Sequence, residues 1–289
     1  MAEPFGIVAG AIGIAGVFST CVDCFEFIQL GRQFGKDYQT SVLKLDIARL
    51  RLTRWGKAVN INCDPNVQHV MATKKEVDTA KDVLEQILDL FRESERISEK
   101  YKPKAKPGEL ELYNPTNDLE PTVLALHNKM RELAIRRQKG ASLKQKTAWA
   151  LYQMKNFTRL VQDITELVDG LEKIFPVEGR RRQLVEIEIT EVQDEPSLAA
   201  IKEAAEDVDI VMQETATTAI ENLAAGHVFR NIKAEGDAKI RDGDEYSVEA
   251  LGKMTGAPVS KHVYDGIKAK DRARIHNGNI YGGKSILED

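Results

Sequence analysis

Basic charge is not in excess in this chain: 41 Lys and Arg stand against 45 Asp and Glu, a formal net charge of −4. The electrostatic footprint of a nucleic-acid binder is missing, and no nucleic-acid partner is expected. Cysteine is scarce and odd in number (Cys21, Cys24, Cys63), which argues against a disulfide framework. Cys21 and Cys24 form a CxxC, but no βαβ pattern surrounds them and no second ligand pair sits at zinc spacing. They read as small apolar residues of a helix, and no metal is expected. His69 and His127 stand alone, and no carboxylate pair or nucleophile–base set is present. Neither catalysis nor a cofactor is expected. The letters GNIYGGKS, Gly278 to Ser285, satisfy the P-loop pattern, yet only four residues follow Ser285. The helix whose N-terminus would hold phosphate is lacking, so nucleotide binding is refused.

Charge is also missing from the N-terminus. Pro4 to Val22, PFGIVAGAIGIAGVFSTCV, runs nineteen residues without one, about the length that spans a bilayer as a helix. Glu3 stands where a signal peptide carries positive charge. Gly6 with Gly10, and Ala9 with Gly13, have the small-xxx-small spacing of close helix contact in lipid. In a buried helix Gly6, Gly10, Gly13 and Gly16 would each cost about 0.8–1.0 kcal/mol relative to Ala. The segment therefore reads as a tightly packed core helix or as one with a second, membrane environment.

At 289 residues there is room for one large or two ordinary domains. Beyond Asp23 the next 200 or so residues read as helix after helix, an all-α bundle. Tyr38–Val59 carries Val42, Leu45, Ala48, Leu52 and Trp55 at helical spacing, with Lys44, Arg49, Arg51 and Arg54 between them. Thr73 and Glu76 form a capping box for a helix towards Tyr101 that shows Val77, Leu84, Ile87, Leu88 and Phe91 on one face. Pro103, Pro107, Pro115 and Pro121 make Lys102–Pro121 an exposed loop. Thr122–Arg137 is helical, and Ser142–Phe175 is one long helix or a broken pair. Arg180–Val192 is a helix or, from its alternating EIEI, a short strand. A last helix runs from Ser197 towards Leu223.

Near residue 225 the pattern changes to period two. His227–Tyr246, HVFRNIKAEGDAKIRDGDEY, recurs as His262–Tyr281, HVYDGIKAKDRARIHNGNIY, at a constant offset of 35 with nine of twenty positions identical. His227, His262, His276, Gly278 and Tyr281 are all accounted for by this repeat. If the copies stack about 4.7–4.8 Å apart, the expected core is Val228, Ile232, Ala234, Ala238 and Ile240 under Val263, Ile267, Ala269, Ala273 and Ile275. Like charges at that spacing destabilise. Between copies Arg230 becomes Asp265, Glu235 becomes Lys270 and Asp237 becomes Arg272, so three repulsions become attractions. Lys233/Lys268 and Lys239/Arg274 keep their sign and must point into water. Asp242/Asn277 and Asp244/Asn279 are placed for side-chain hydrogen-bond ladders. Ser247–Lys261 is long enough to return the chain to the second layer, and Gly236 marks a bend. The competing reading is a disordered tail with a duplicated motif for some partner.

Several segments carry a resemblance. EPFGIVAGAIGIAGVFSTCVDCFEFIQLGRQFGKDY from Glu3, KQKTAWALY (Lys144–Tyr152), EIEI (Glu186–Ile189) and the tail ending GNIYGGK are similar to the fungal heterokaryon-incompatibility prion family. What the resemblance implies is a helical HeLo domain over residues 1–222, with its membrane-inserting segment at 4–22. A prion-forming domain follows over 218–289, disordered as a monomer and a two-rung β-solenoid when self-assembled into amyloid fibrils. It also implies templating by homologous incompatibility proteins, or by a NOD-like receptor with a matching motif. Templated folding then releases the N-terminal segment into membrane lipids and kills the cell. Location would be cytoplasmic, moving to the plasma membrane on activation. Asp23 and Gln33 fall at the positions that separate toxic from non-toxic forms; the non-toxic family pattern has Asp23 but Pro in place of Gln33. After GGK the family closes with aromatics, where this chain has Ile286 and Leu287. A different class remains open: a soluble helical adaptor whose duplicated tail binds a partner without forming amyloid.

Overall fold

The computed structural model describes residues 13–61, 73–138, 148–192, 194–224, 228–248 and 262–282. Contacts divide the chain between Ala216 and Thr217 into two compact units. The first is built around α2 (Tyr38–Ala58), a helix buried on nearly every side. Its sequence reads as amphipathic, but Arg49, Arg51 and Arg54 are buried along with the apolar positions. Carboxylates arriving from other elements make this possible. Arg54 is met by Glu188 and Asp209, Arg51 by Glu172 and Asp169, and Arg49 by Glu26. Breaking one partner of such a buried group typically costs about 3–5 kcal/mol.

The other helices are α1 (Ile14–Cys24), α3 (Lys74–Tyr101), α4 (Pro115–Asp118), α5 (Pro121–Gln138), α6 (Met154–Ile174), α7 (Glu178–Thr190), α8 (Glu195–Ala205) and α9 (Ile210–Ala224), of which α1, α5, α6, α7 and α8 pack against α2. The Thr73/Glu76 capping box forms as the spacing requires: Glu76 N–H donates to Thr73 Oγ1, and Thr73 N–H to the Glu76 carboxylate. Leu84, Ile87, Leu88 and Phe91 make the buried face of α3. The EIEI segment lies within helix α7.

Three expectations are corrected. The segment expected as one long helix or a broken pair contains a strand instead: Trp149–Leu151 (β2) pairs in parallel with Ile28–Leu30 (β1), and α6 starts only at Met154. The Ser98 hydroxyl donates to the Ala150 carbonyl beside that pair. Lys102–Pro121 is not merely an exposed loop, because Gly31 bridges Leu112, Tyr38 stacks on Tyr113 at 3.9 Å and Leu119 is buried. The last helix is two helices. Asp207, at φ 61°, turns the chain between α8 and α9, a left-handed conformation that Asp tolerates better than most residues.

One close approach fixes where α1 lies. A Cβ on Gly56 would come within 2.4 Å of the Phe18 ring, and Phe18 is itself fully buried against Trp55. Glycine at 56 is what allows the ring to sit there. Gly56→Ala is expected to destabilise the fold by about 1–3 kcal/mol through overpacking, and Phe18→Leu in the same chain to recover much of it. Urea unfolding of both variants measures this; an unchanged midpoint for Gly56→Ala contradicts the packing.

Candidate functional site

In the second unit the two copies lie side by side as strands. Copy one supplies β3 (Val228–Arg230), β4 (Lys233–Ala234), β5 (Lys239–Asp242) and β6 (Glu245–Tyr246). Copy two supplies β7 (Val263–Asp265), β8 (Lys268–Ala269), β9 (Arg274–Asn277) and β10 (Ile280–Tyr281). Each strand pairs in parallel with its equivalent: Val228 with Val263, Ala234 with Ala269, Ile240 with Ile275 and Tyr246 with Tyr281. Hydrogen bonds between copies also run through the breaks. Lys268 N–H donates to Ile232 O, Lys270 to Ala234, Arg272 to Gly236, Gly278 to Asp242 and Ile280 to Asp244, all at 2.8–3.0 Å.

Side chains follow the same register. Phe229 stacks on Tyr264 with ring planes 7° apart, and Tyr246 on Tyr281 with planes 6° apart. Among the described residues Asp237–Arg272 is the one sign-exchanged pair that closes, Arg272 Nε lying 2.8 Å from Asp237 Oδ1. Arg230 stands opposite Asp265 in the strand register, and Glu235 and Lys270 occupy equivalent positions, without reaching ion-pair distance. Both members of the closed pair are largely exposed, so it contributes about 0–1 kcal/mol. The charge exchange removes repulsion, and the backbone bonds and stacked rings hold the register. Lys233, Lys268, Lys239 and Arg274 are exposed.

Burial is uneven. Ala234 is buried; Ile232, Ala238, Ile240, Val263, Ile267, Ala273 and Ile275 are half-buried, and Ala269 is exposed. Ile280 and Asp242 are buried without having been expected to be. At one of the positions expected to form a ladder, Asn279 Oδ1 accepts from the Asp244 N–H at 2.9 Å and lies 2.5 Å from His262 Nε2. Burial pushes the Asp242 carboxyl above its usual range, while the Tyr264 hydroxyl donates to the Asp242 carbonyl.

The strand breaks are the feature that sequence reasoning caught only at Gly236. Positive φ recurs at the same offset: Asn231 with Gly266, Gly236 with Asp271, and Gly243 with Gly278. Gly, Asn and Asp are the residues that adopt this region readily. At Gly243 (φ 147°) a Cβ would also stand 2.2 Å from the Gly278 carbonyl oxygen, so two constraints demand glycine. Pairing Gly, Asn and Asp across the repeat is the signal that reveals all three corners.

At the other end of the chain, Gly6 and Gly10 lie outside the described residues. Gly13 precedes α1, Gly16 is half-buried within it, and Val17, Phe18, Cys21 and Val22 are buried. No described helix is long and apolar enough to cross a membrane. Asp23 is buried, its Oδ1 accepting from Gln138 Nε2 at 2.6 Å; the same amide donates to Ser19 O at 2.8 Å. Gln33 is exposed, and its amide donates to the Tyr101 hydroxyl and the Glu109 carbonyl.

The family model described as HeLo, prion-inhibition and propagation, matches residues 6–201. The chain belongs to the HeLo family. This HeLo protein is 44% identical over 251 residues to heterokaryon incompatibility protein s of Podospora anserina, covering 87% of this chain and 86% of that protein. Its identity to protein S of that fungus is 43% over the same share of each. Both alignments are longer than the HeLo match, so the likeness takes in part of the tail. The solved HET-s N-terminal domain superposes with a TM-score of 0.70 at 44% identity, covering 74% of this chain and 100% of that one. A double variant of that domain, altered at its positions 23 and 33, gives 0.68 at 44% identity, over 73% of this chain and 100% of its own. Membership of the heterokaryon-incompatibility proteins follows, with a helical domain of known fold.

Two outcomes test the tail geometry. Gly243→Ala is expected to abolish copy-on-copy pairing, read as loss of amide protection across Lys239–Tyr246, whereas Ala at exposed Lys239 leaves it intact; a protected Gly243→Ala tail contradicts the register. Asp242 binds its proton more tightly when the copies are paired. Its contribution to pairing is therefore full below the ordinary carboxylate range and is lost as pH rises through the elevated value. Pairing should strengthen from neutral towards acid pH, and Asp242→Asn should strengthen it at neutral pH and flatten the profile. An equally steep profile in Asp242→Asn contradicts the assignment.

Proposed function

We propose that this HeLo protein is an amyloid-controlled regulator of fungal cell death. Its tail folds as a two-rung β-solenoid on assembly, and that folding controls membrane disruption by the helical domain. The observation that carries the reading is the in-register parallel pairing of the two copies. Each sheet of the tail has two strands, which leaves backbone donors and acceptors on the outer side of both copies, a ready template for further strands. The first copy of another chain fits onto the second copy of this one with the same offset, bringing Asp265 to Arg230, Lys270 to Glu235 and Arg272 to Asp237. Half-buried Ile240 and Ile275 then gain neighbours above and below, and the apolar face reaches the burial that two rungs alone leave incomplete.

The same reading covers the rest of the chain. A homologous incompatibility protein, or a receptor carrying a matching motif, supplies the first template. The Pro4–Val22 segment then leaves the helical domain for the plasma membrane of a cell in whose cytoplasm the resting chain resides. Asp23 and Gln33 set whether the domain is toxic or inert when triggered. Asp23 lies in the last turn of α1, held by Gln138, where a change alters how firmly that helix is held.

Adding sonicated fibrils of the full chain to fresh full-length protein tests the reading. The expected result is assembly without a lag, a meridional reflection at about 4.7–4.8 Å, and release of dye from liposomes present in the mixture. A chain that stays monomeric when seeded overturns the amyloid reading and favours a monomeric adaptor. Fibrils that form while the liposomes stay sealed overturn the membrane step.

A further inference from the structure

α9 is the helix through which the tail is attached: it runs to Ala224, and copy one begins at Val228. Among its described side chains the fully buried ones lie in its first half. Val211, Met212 and Ala216 are buried, whereas Leu223 is exposed. The anchor begins one residue earlier, at Asp209. That residue caps α9, its carbonyl accepting from Gln213 N–H and its Oδ1 from Met212 N–H at 3.2 Å. Its other carboxylate oxygen accepts from Arg54 Nη1 at 2.5 Å. Arg54 in turn donates from Nε and Nη2 to both oxygens of Glu188, and Glu188 Oε1 also accepts from Arg137 Nη1 at 2.5 Å. Asp209, Arg54, Glu188 and Arg137 thus form one buried chain with two charges of each sign, every side chain 10% exposed or less.

Both cationic members are close in sequence, on the same helix, to a residue that holds α1. Two positions from Arg54, about 200° around α2, Gly56 receives the Phe18 ring. One position from Arg137, Gln138 donates to Asp23 and Ser19. We propose that the Asp209–Arg54–Glu188–Arg137 chain is the element that couples the tail-bearing helix to the N-terminal helix, and that Asp209 is its positioning residue. When α9 is drawn away, Asp209 leaves with it. Buried Arg54 is then left with one carboxylate, Glu188, which Arg137 also holds. The imbalance loosens α2 and α5 where they grip α1. The adjoining ions Arg51, Arg181, Asp169 and Glu172 stay paired among themselves, except that Arg51 also loses its bond to the Val208 carbonyl beside Asp209. This rests on the proposed triggering of the helical domain by the tail.

The test is amide hydrogen exchange on the full-length chain, before and after seeding with its own fibrils. It is repeated for Asp209→Asn, which keeps a capping side chain but loses the charge. Asp194→Ala, which removes the cap of α8 and touches no member of the ion chain, is the control. Each variant is compared at the same distance below its own Tm. Unseeded Asp209→Asn is expected to exchange Val17–Cys24 faster than wild type by on the order of ten-fold, with Asp194→Ala unchanged there. Equal α1 exchange in the two variants overturns the coupling. If Asp209→Asn fails to fold, seeded wild type decides: loss of protection in Val17–Cys24 at the same rate as in Ile210–Ala216 supports the coupling, and an independent rate overturns it. If seeded wild type assembles while α1 keeps its full protection, it is the tail-triggered function itself that falls.

Discussion

The parallel backbone register between the two tail copies is the constraint from which the rest of the account follows. A parallel pair at constant offset makes every equivalent residue a vertical neighbour. The same geometry stacks Phe229 on Tyr264, stacks Tyr246 on Tyr281 and makes a side chain at Gly243 impossible. It also explains why exposed charge exchanges matter although their attraction is small. Lysine above lysine is tolerable when both reach water, as Lys233 and Lys268 do. Along the sign-exchanged positions the same spacing would otherwise add repulsion at several places in so short a sheet.

The helical unit obeys a different constraint. Its central helix carries three buried arginines, so its partners are fixed by charge as much as by shape. Burial opposes ionisation of Asp209, yet the Arg54 guanidinium beside it holds its carboxyl below the ordinary carboxylate range. Such an arrangement adds little net stability relative to an apolar core but penalises partial disassembly heavily. A domain built this way stays closed until an end is pulled and then yields over a wide area. That is a suitable mechanical property for a unit whose proposed task is to keep one apolar helix packed until a signal arrives.

Much of this was legible in the residues. The 3.6-residue periodicity and the Thr73/Glu76 box located α3 closely, and the 35-residue repeat specified which residues face each other. What escaped did so for identifiable reasons. Trp149–Leu151 is three residues long, too short for a period-two pattern, and its partner lies 121 positions earlier at Ile28–Leu30. The break between α8 and α9 has neither Gly nor Pro and turns on Asp207. The burial of Arg51 and Arg54 depends on carboxylates more than 100 residues away, which local spacing does not announce. In the tail, Asn231 and Asp271 act as corner residues, a role visible only when each is aligned with the glycine in the other copy.

Whether each chain contributes two rungs to the assembled tail is decided most directly by mass per length of unlabelled full-chain fibrils in the electron microscope. Two rungs of about 4.7–4.8 Å advance the fibril by about 9.5 Å for each 32.3 kDa chain, a value of about 34 kDa per nanometre. A single filament at that value is the predicted result. A value about twice as large, one chain for every 4.7–4.8 Å step, contradicts the stacking of copy upon copy and with it the register on which the account stands.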